Sequence, residues 1–459
     1  MNKKLFLWSL TSALSGFLFG FDTVVISGAE QAFQEFWALS NVMHACVMTS
    51  ALVGTIIGAV LGSWPSDKLG RKTTLLWIGV MYFISALGSG IAPDPYTLMI
   101  ARFIGGVGIG ISTVAGPLYI SEMAPANMRG RLTGLYQFNL VFGILIAFVS
   151  NMLLNKFMGD ASWRWMLGIE AIPAILYTVM CIKIPESPRW LILNKGDTAA
   201  GAAVLKQVNP EKSEAEITAM VSEIAASGGK KGEKHPFFTA ELFKPIMLVF
   251  LLSAFNQLSG INAVLYYSKR IFEMGGFETE AALMASIGIG ATNFIFTFIG
   301  LWMIDKFGRK TNLFIGSIGY ITFLLLIAWS FSTDNETIKS IMPFFVFGFI
   351  GAHGVGQGAV IWVYISEIFP AHHRAHGTSF GVSVHWVFAA AITFIFPIVV
   401  NAFEPVYIFG FFAFMMVLQL IWVVTMVIET KGRSLEEMEQ MLGIKSSAEG
   451  TAAVSAAQK

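Results

Sequence analysis

The sequence predicts an all-α membrane protein with twelve transmembrane helices in two similar six-helix bundles. Of its 459 residues, 55% are hydrophobic and only 13% are charged, which is too little polar surface for ordinary soluble domains. Apolar stretches long enough to cross a bilayer, about 20 residues each, recur from end to end. One loop pattern, D-K-x-G-R-K, occurs twice, at residues 67–72 and 305–310. Composition and apolar stretches therefore indicate the membrane, and the repeated loop indicates two halves.

The apolar stretches divide into six and six around one long hydrophilic interruption. The twelve predicted spans lie near residues 6–28, 42–64, 73–91, 97–119, 130–153, 164–184, 245–268, 281–304, 311–330, 341–366, 377–400 and 405–428. The predicted organisation is a first bundle, a linker, a second bundle and a cytoplasmic tail, over residues 1–185, 186–241, 242–430 and 431–459. Helical spacing at 213–224 predicts short amphipathic helices in the linker, although a flexible tether without function is the alternative.

The positive charges predict the topology. By our count about 24 of the 30 Lys and Arg residues fall on one side of the spans, which predicts that this side is cytoplasmic and carries both termini. Lys3 and Lys4 precede an apolar run as in a signal peptide, but Asp22 directly after that run favours a retained first helix. We therefore expect a multi-pass plasma-membrane protein, and the compact loops favour a bacterial inner membrane.

A second repeat supports duplication of the halves. Y-I-S-E-M-A-P (119–125) follows the fourth span and recurs as Y-I-S-E-I-F-P (364–370) after the tenth. Parallel repeats suit alternating access, with a substrate held near the midplane between the halves. Acids beside Arg and Lys clusters predict ion pairs that break as the halves move. The predicted gating residues are Asp67, Arg71, Glu122, Arg129, Glu186, Arg189, Asp305, Arg309, Glu367, Arg374 and Glu429. The alternative is that these loops only mark the cytoplasmic side through their Lys and Arg residues, but this alternative does not explain why the acids are repeated.

Four further motifs carry a family resemblance. They are G-F-D-T-V-V-I-S-G (20–28), R-F-I-G-G-V-G-I-G (102–110), P-E-S-P-R-W (185–190) and N-Q-L-S-G-I-N-A-V-L-Y-Y (256–267). With these motifs in this order, the chain resembles the sugar porter family of the major facilitator superfamily along nearly its whole length. The resemblance implies the major facilitator fold and import of a hexose or pentose by alternating access.

The resemblance also implies which residues bind the sugar. These are Gln137 on the fifth span, Asn256, Gln257, Asn262 and Tyr266 on the seventh, Trp362 on the tenth, and His385 on the eleventh. Amides donate and accept hydrogen bonds, as sugar hydroxyls do, and an indole face packs on the C–H surface of a sugar. The alternative for any single amide is a hydrogen bond that joins two helices.

Three positions depart from the family's usual pattern. Asn256 stands where a pair of Gln residues commonly begins, His385 stands where an amide often contributes, and Ile144 replaces a residue that is polar in some relatives. Because these changes shorten or remove polar side chains, the identity of the sugar stays open.

Three ionisable residues, Asp22, Arg102 and Glu170, lie inside predicted spans, where each charge costs at least about 2.5–3.5 kcal/mol on insertion scales. In the family that the chain resembles, an acid at the position of Asp22 accompanies proton-coupled members and an Asn accompanies facilitators; Arg102 and Glu170 match the family's partners of that acid. Burial raises the proton affinity of a carboxylate, and a nearby Arg lowers it. Movement of Asp22 relative to Arg102 would therefore switch the proton affinity of Asp22 between a high and a low value. The alternative is a static buried ion pair.

The predicted function is a proton-coupled symporter that imports a monosaccharide. A facilitative uniporter of the same fold and a transporter-like sugar receptor are the alternatives. We predict no enzyme and no cofactor, because no nucleophile, metal or cofactor constellation appears. The spacing G-G-V-G-I-G (105–110) lies in an apolar span and predicts close helix packing instead of a nucleotide loop, and His44 and His353 are interpreted as packed or pore-lining residues. The expected partners of a monomer are the sugar, protons and membrane lipids, without nucleic acid.

Overall fold

The computed structural model describes residues 3–125, 128–227, 236–370, 373–433 and 435–442, and it contains only helices within these ranges. The helices before residue 235 are α1 (Lys3–Phe36), α2 (Asn41–Leu61), α3 (Ser63–Leu69), α4 (Arg71–Ile91), α5 (Pro95–Met123), α6 (Arg129–Met158), α7 (Ser162–Gly168), α8 (Ala171–Lys183), α9 (Pro188–Leu193), α10 (Thr198–Val208) and α11 (Glu214–Ser227). The helices after it are α12 (Phe243–Leu258), α13 (Ile261–Tyr266), α14 (Ser268–Met274), α15 (Thr279–Phe307), α16 (Arg309–Ser332), α17 (Glu336–Val355), α18 (Gln357–Glu367), α19 (Arg374–Val399), α20 (Pro405–Thr425) and α21 (Leu435–Leu442).

The described helices match the predicted membrane spans. Within the part of the chain that the structure describes, eleven stretches are long and apolar enough to cross a membrane. One of them, Arg129–Lys183, has 55 residues and contains two predicted spans, the fifth and the sixth. The prediction of twelve spans is therefore confirmed, and α10 and α11 supply the short helices expected in the linker.

Two predicted spans are broken helices. The seventh span consists of α12 and α13, which meet at Gly260, where φ is +85° and an added Cβ would lie 2.5 Å from the Phe412 ring. Only glycine adopts this conformation without strain. The tenth span is interrupted at Gly356, between α17 and α18. Broken transmembrane helices are typical of transporter binding regions, because unwound backbone is tolerated where it lines a cavity.

Contacts divide the chain into two compact units. Unit 1 comprises Met1–Lys231, Asn262–Phe294 and Thr393–Ala402, and unit 2 comprises Gly232–Ile261, Ile295–Ile392 and Phe403–Lys459. The predicted bundle boundaries derive from the sequence repeat and stay predictions.

In unit 1, glycines bring α2 and α5 into close contact. An added Cβ on Gly106 would lie 1.9 Å from the carbonyl oxygen of Ala51, and one on Gly58 would lie 2.3 Å from that of Val107. No larger side chain fits between backbones at these distances. The interpretation of residues 105–110 as a helix-packing motif is confirmed.

In unit 2, buried polar side chains join three helices. The side chain of Gln357 on α18 donates to Gln419 Oε1 on α20 (2.9 Å), and Gln419 in turn donates to Ser317 Oγ on α16 (2.8 Å). Such hydrogen bonds hold helices together in a membrane, where apolar side chains pack about as well on lipid as on another helix.

Candidate functional site

A buried charged cluster lies inside unit 1. Arg102 on α5 donates from one terminal nitrogen to Asp22 Oδ1 on α1 (2.5 Å) and from the other to the Asp22 carbonyl oxygen (3.3 Å). Glu170, directly before α8, lies near enough to interact electrostatically with both residues. The exposed fractions of Asp22, Arg102 and Glu170 are 1%, 2% and 1%. The structure therefore brings the three predicted proton-coupling residues together.

The cluster has more acids than bases. Its two carboxyl groups face a single guanidinium, and Asp22 Oδ2, Glu170 Oε1 and Arg102 Nε have no hydrogen-bond partner within the described residues. A buried charge without a partner costs several kcal/mol. One proton on the carboxyl groups would balance the cluster, so the arrangement is suited to hold a proton.

Four predicted sugar-binding residues lie together in unit 2. Gln257 Nε2 on α12 donates to Asn256 Oδ1 (2.8 Å) and lies 3.3 Å from Nε2 of His385 on α19. The His385 ring centroid is 4.9 Å from that of Trp362 on α18. Gln257 is buried, whereas Trp362 is 40% exposed, and Gln257 Oε1 has no partner within the described residues. The group thus offers a free acceptor, an imidazole and an accessible aromatic face.

The other predicted sugar-binding residues belong to unit 1. Asn262 and Tyr266 are buried on α13, and Gln137 is half-buried on α6. The Tyr266 side chain lies near enough to Asp22 and Arg102 to interact with their charges. One predicted sugar-binding residue is therefore next to the charged cluster, a proximity that the sequence did not indicate.

The first D-K-x-G-R-K loop forms a network around the first turn of α4. Glu186 accepts from the backbone N–H groups of Arg71 (2.9 Å) and Lys72 (3.0 Å), and the Arg71 side chain donates two bonds of 2.9 Å to the Glu122 carboxylate. Burial raises the pKa of the Glu186 carboxyl, an effect that its backbone donors partly offset. Gly70 lets the carboxylate approach, because an added Cβ would lie 2.2 Å from Glu186 Oε2. Glu186 thus caps α4 as an anion at a helix N-terminus.

The second D-K-x-G-R-K loop repeats this geometry around α16. Glu429 accepts from the backbone N–H groups of Arg309 and Lys310, both at 2.9 Å. The Arg309 side chain donates to both oxygens of Glu367, at 2.9 and 2.7 Å. An added Cβ on Gly308 would lie 2.5 Å from Glu429 Oε2. The duplicated sequence motif is therefore a duplicated helix cap joined to a bidentate ion pair.

The remaining predicted gating residues differ in their contacts. Asp67 lies 3.1 Å from Arg71, whereas its counterpart Asp305 is exposed and has no ion pair within the described ranges. Arg129 donates to the Ser121 carbonyl oxygen (3.0 Å). The last two, Arg189 and Arg374, have no ion pair with any described residue; Arg189 is exposed, and Arg374 lines a cavity of about 310 Å³.

The sequence interpretation missed a second buried ionic cluster, formed by Glu30, His44 and Arg270. The first predicted span ended at residue 28, but α1 continues to Phe36 and carries Glu30 with no exposed surface. The charge of Glu30 is tolerated because Arg270 on α14 pairs with it at 2.7 Å. His44, interpreted as a packed or pore-lining residue, lies 2.9 Å from Glu30. The available signal was an acid two residues after an apolar stretch, without a helix-ending residue between them.

The chain is similar to known sugar transporters. The family model described as "Sugar (and other) transporter" matches residues 8–442. The arabinose-proton symporter of Bacillus subtilis (strain 168) is 34% identical over 438 residues, which cover 94% of each chain. The D-xylose-proton symporter of Escherichia coli (strain K12) is 32% identical over 479 residues, covering 96% of each. The inward open structure of the xylose transporter XylE from E. coli matches with a TM-score of 0.83 at 30% identity, over 95% of this chain and 99% of that one.

Proposed function

The chain belongs to the sugar transporter family of the major facilitator superfamily, and we propose that it imports a monosaccharide together with a proton. The observation that carries the proposal is the buried cluster of two carboxyl groups and one guanidinium at Asp22, Glu170 and Arg102. Relatives named as proton symporters for arabinose and for xylose support the same activity.

The cluster can couple protonation to movement. While Arg102 contacts Asp22, the guanidinium balances one of the two carboxyl groups of the cluster, and one bound proton balances the other. A conformational change that draws Arg102 away leaves Asp22 as an unpaired buried carboxylate, which binds a proton strongly. A proton bound in one conformation and released in the other couples the proton gradient to the transport cycle.

Tyr266 offers a link between sugar and proton. It is implied as a sugar-binding residue and lies near the charges of Asp22 and Arg102. A sugar hydroxyl bound to Tyr266 would reorganise the hydrogen bonds next to the charged cluster. Sugar binding would therefore favour one protonation state, which is the thermodynamic requirement for symport.

The residues that we propose for sugar binding are polar or aromatic. Asn256, Gln257, Trp362 and His385 supply hydrogen bonds and an aromatic face, and Asn262, Tyr266 and Gln137 add polar groups. Their chemistry suits a neutral polyol ring, because no carboxylate or Lys belongs to the set. Relatives named for arabinose, xylose and myo-inositol favour a pentose or a ring of similar size.

The two capped ion-pair networks act as gates on the side that we assign to the cytoplasm. Arg71 with Glu122 and Arg309 with Glu367 are charge-assisted bidentate pairs that water can replace when the helix ends separate. Both termini lie on this side by the distribution of Lys and Arg, and a bacterial inner membrane fits the compact loops. We assign the function to the monomer in its lipid environment.

Transport by the purified protein in liposomes tests the proposal. Uptake of L-arabinose, D-xylose, D-glucose and myo-inositol is measured with and without an acidic outside. We expect accumulation of at least one sugar above its external concentration, and only with the pH gradient. Uptake that does not depend on the pH gradient would indicate a facilitator, and sugar binding without transport would indicate a receptor.

Asp22→Asn tests the assignment of the proton site. The substitution preserves size and hydrogen bonding but removes the titratable group, so gradient-driven accumulation should cease while exchange of internal for external sugar continues. Asp94→Asn is the matched control, because Asp94 caps the N-terminus of α5, which carries Arg102, and Asn caps a helix equally well. Accumulation by Asp22→Asn at the wild-type level would refute the role of Asp22.

A further inference from the structure

A second ionic cluster lies near the C-terminal end of α1. Arg270 Nε donates to Glu30 Oε1 (2.8 Å), and one terminal nitrogen of Arg270 donates to Glu30 Oε2 (2.7 Å) and to Gln34 Oε1 (2.5 Å). His44 Nε2 lies 2.9 Å from Glu30 Oε2, at an angle outside hydrogen-bond geometry. Glu30 and His44 have no exposed surface.

The cluster connects distant parts of the chain. Glu30 and Gln34 lie near the end of α1, His44 lies in the first turn of α2, and Arg270 lies on α14, which is 240 residues beyond Glu30. The α14 helix follows the broken seventh span, which opens the second half of the sequence repeat. The Glu30 to Arg270 pair therefore joins a helix of the first half to a helix of the second.

The cluster lies at the opposite helix end from the first D-K-x-G-R-K loop. The α2 helix begins next to His44 and runs to Leu61, shortly before the first D-K-x-G-R-K loop. Glu30 and His44 thus lie at the helix ends away from that loop. With the first loop assigned to the cytoplasmic side by its Lys and Arg residues, the cluster lies on the outer side, where a carrier must open to admit sugar.

The chemistry of the pair suits reversible contact. The Arg270 side chain is 12% exposed, so it lies at the margin of the buried region and can be hydrated by a small movement. Arg270 is charged in either position, and its bidentate contact with a buried carboxylate forms only when the geometry is complete. The same carboxylate is costly when it is buried without Arg270, so the site must be either closed or hydrated.

We propose that Glu30, Gln34, His44 and Arg270 form an outer lock that holds the external path closed while the opposite side is open. The inference rests on the proposed transport function and adds the residues of its outer gate. Arg270 closes the lock on Glu30, Gln34 orients the guanidinium, and His44 packs against the same carboxylate. Opening separates α14 from α1 and hydrates the pair.

Labelling of a single cysteine measures the lock directly. The chain has only two cysteines, Cys46 and Cys181, which are replaced by alanine. Ser27→Cys then places a thiol one turn inward of Glu30, at a position that is 2% exposed. A membrane-impermeant maleimide, added to right-side-out vesicles without sugar or a pH gradient, reaches this thiol only while the outer path is open.

Removal of the lock should increase labelling. In the Ser27→Cys background, Glu30→Gln and Arg270→Gln should each raise the labelling rate about tenfold, the factor that corresponds to one charge-assisted hydrogen bond. Glu273→Gln is the matched control, because it breaks a pair of similar charge between Lys269 and Glu273 (3.6 Å) within α14 and should leave the rate unchanged. The double exchange Glu30→Arg with Arg270→Glu should return the rate towards that of wild type.

Two results would overturn the outer lock. One is an unchanged labelling rate in a Gln variant that elutes as folded protein. The other is an equal increase in the Glu273→Gln control. Should Glu30→Gln fail to fold, Arg270→Lys keeps the charge and loses the bidentate contact, and its labelling rate must lie between wild type and Arg270→Gln. Because labelling needs neither sugar nor protons, a failure of the lock is distinct from a failure of symport, which the liposome assay reports.

Discussion

Gly70→Ala should destabilise the protein through the cap of α4. Gly70 has φ +92° and ψ 161°, a region that is essentially restricted to glycine. An added Cβ would also lie 2.2 Å from Glu186 Oε2, so the carboxylate would have to leave the N-terminus of the helix. The substitution therefore combines backbone strain with loss of a cap.

The magnitude follows from these two effects. Residues held in such backbone regions cost about 1–3 kcal/mol, and loss of a helix cap costs about 1 kcal/mol. We expect a decrease of about 2–4 kcal/mol in the free energy of unfolding, and a similar decrease for Gly308→Ala, where φ is +90° and the added Cβ would lie 2.5 Å from Glu429 Oε2.

Denaturant titration of the purified protein in mixed micelles, followed by tryptophan fluorescence, measures the change. Gly134→Ala is the matched control, because Gly134 is exposed on α6 and an added Cβ would meet no atom within 4 Å. That variant should gain up to about 1 kcal/mol from helix propensity. The reasoning is wrong if Gly70→Ala is as stable as Gly134→Ala.

Three further changes have defined outcomes. Because burial raises the pKa of Glu186, the folded protein binds a proton at this carboxyl more tightly than the unfolded chain does. The melting temperature of wild type should therefore rise relative to that of Glu186→Gln as the pH falls through the folded pKa towards 4.5. A difference in melting temperature that does not vary with pH would contradict this. Gly106→Ala should abolish the monodisperse peak in size-exclusion chromatography because its Cβ would lie 1.9 Å from the Ala51 carbonyl oxygen, whereas Gly130→Ala, with no neighbour within 4 Å, should retain it. His385→Gln keeps a partner for Gln257 but removes the ring 4.9 Å from Trp362, so the ratio of kcat/KM between two transported sugars should change while the melting temperature does not.

Much of the architecture was predictable from local sequence. Transmembrane spans are helices because every backbone group in lipid must be hydrogen-bonded within its own segment. They are long apolar runs because the hydrocarbon core is about 20 helical residues thick, so they can be identified from the sequence directly. The repeated D-K-x-G-R-K loop predicted duplication, and its two copies share the helix cap and the bidentate ion pair in the structure. The glycines of 105–110 predicted close packing because small residues let helix backbones approach each other within a membrane.

The partners of buried charges were not predictable in the same way. Asp22, Arg102 and Glu170 were identifiable one by one because ionisable groups are costly in membrane spans, but their contact depends on how α1 and α5 pack around Glu170. No local pattern indicated that Arg270 pairs with Glu30, because the two residues lie 240 positions apart in the chain.

The sequence by itself thus determined the spans, the repeat, the packing motif and the residue types available for sugar and proton binding. The tertiary structure alone decided that Glu186 and Glu429 cap helices through backbone N–H groups, that Tyr266 lies beside the charged cluster, and that Arg270 pairs with Glu30. The physical reason is the range of the interactions. Hydrophobic periodicity and helix length are properties of neighbouring residues, whereas an ion pair or a cap forms between any residues that packing brings within about 3 Å.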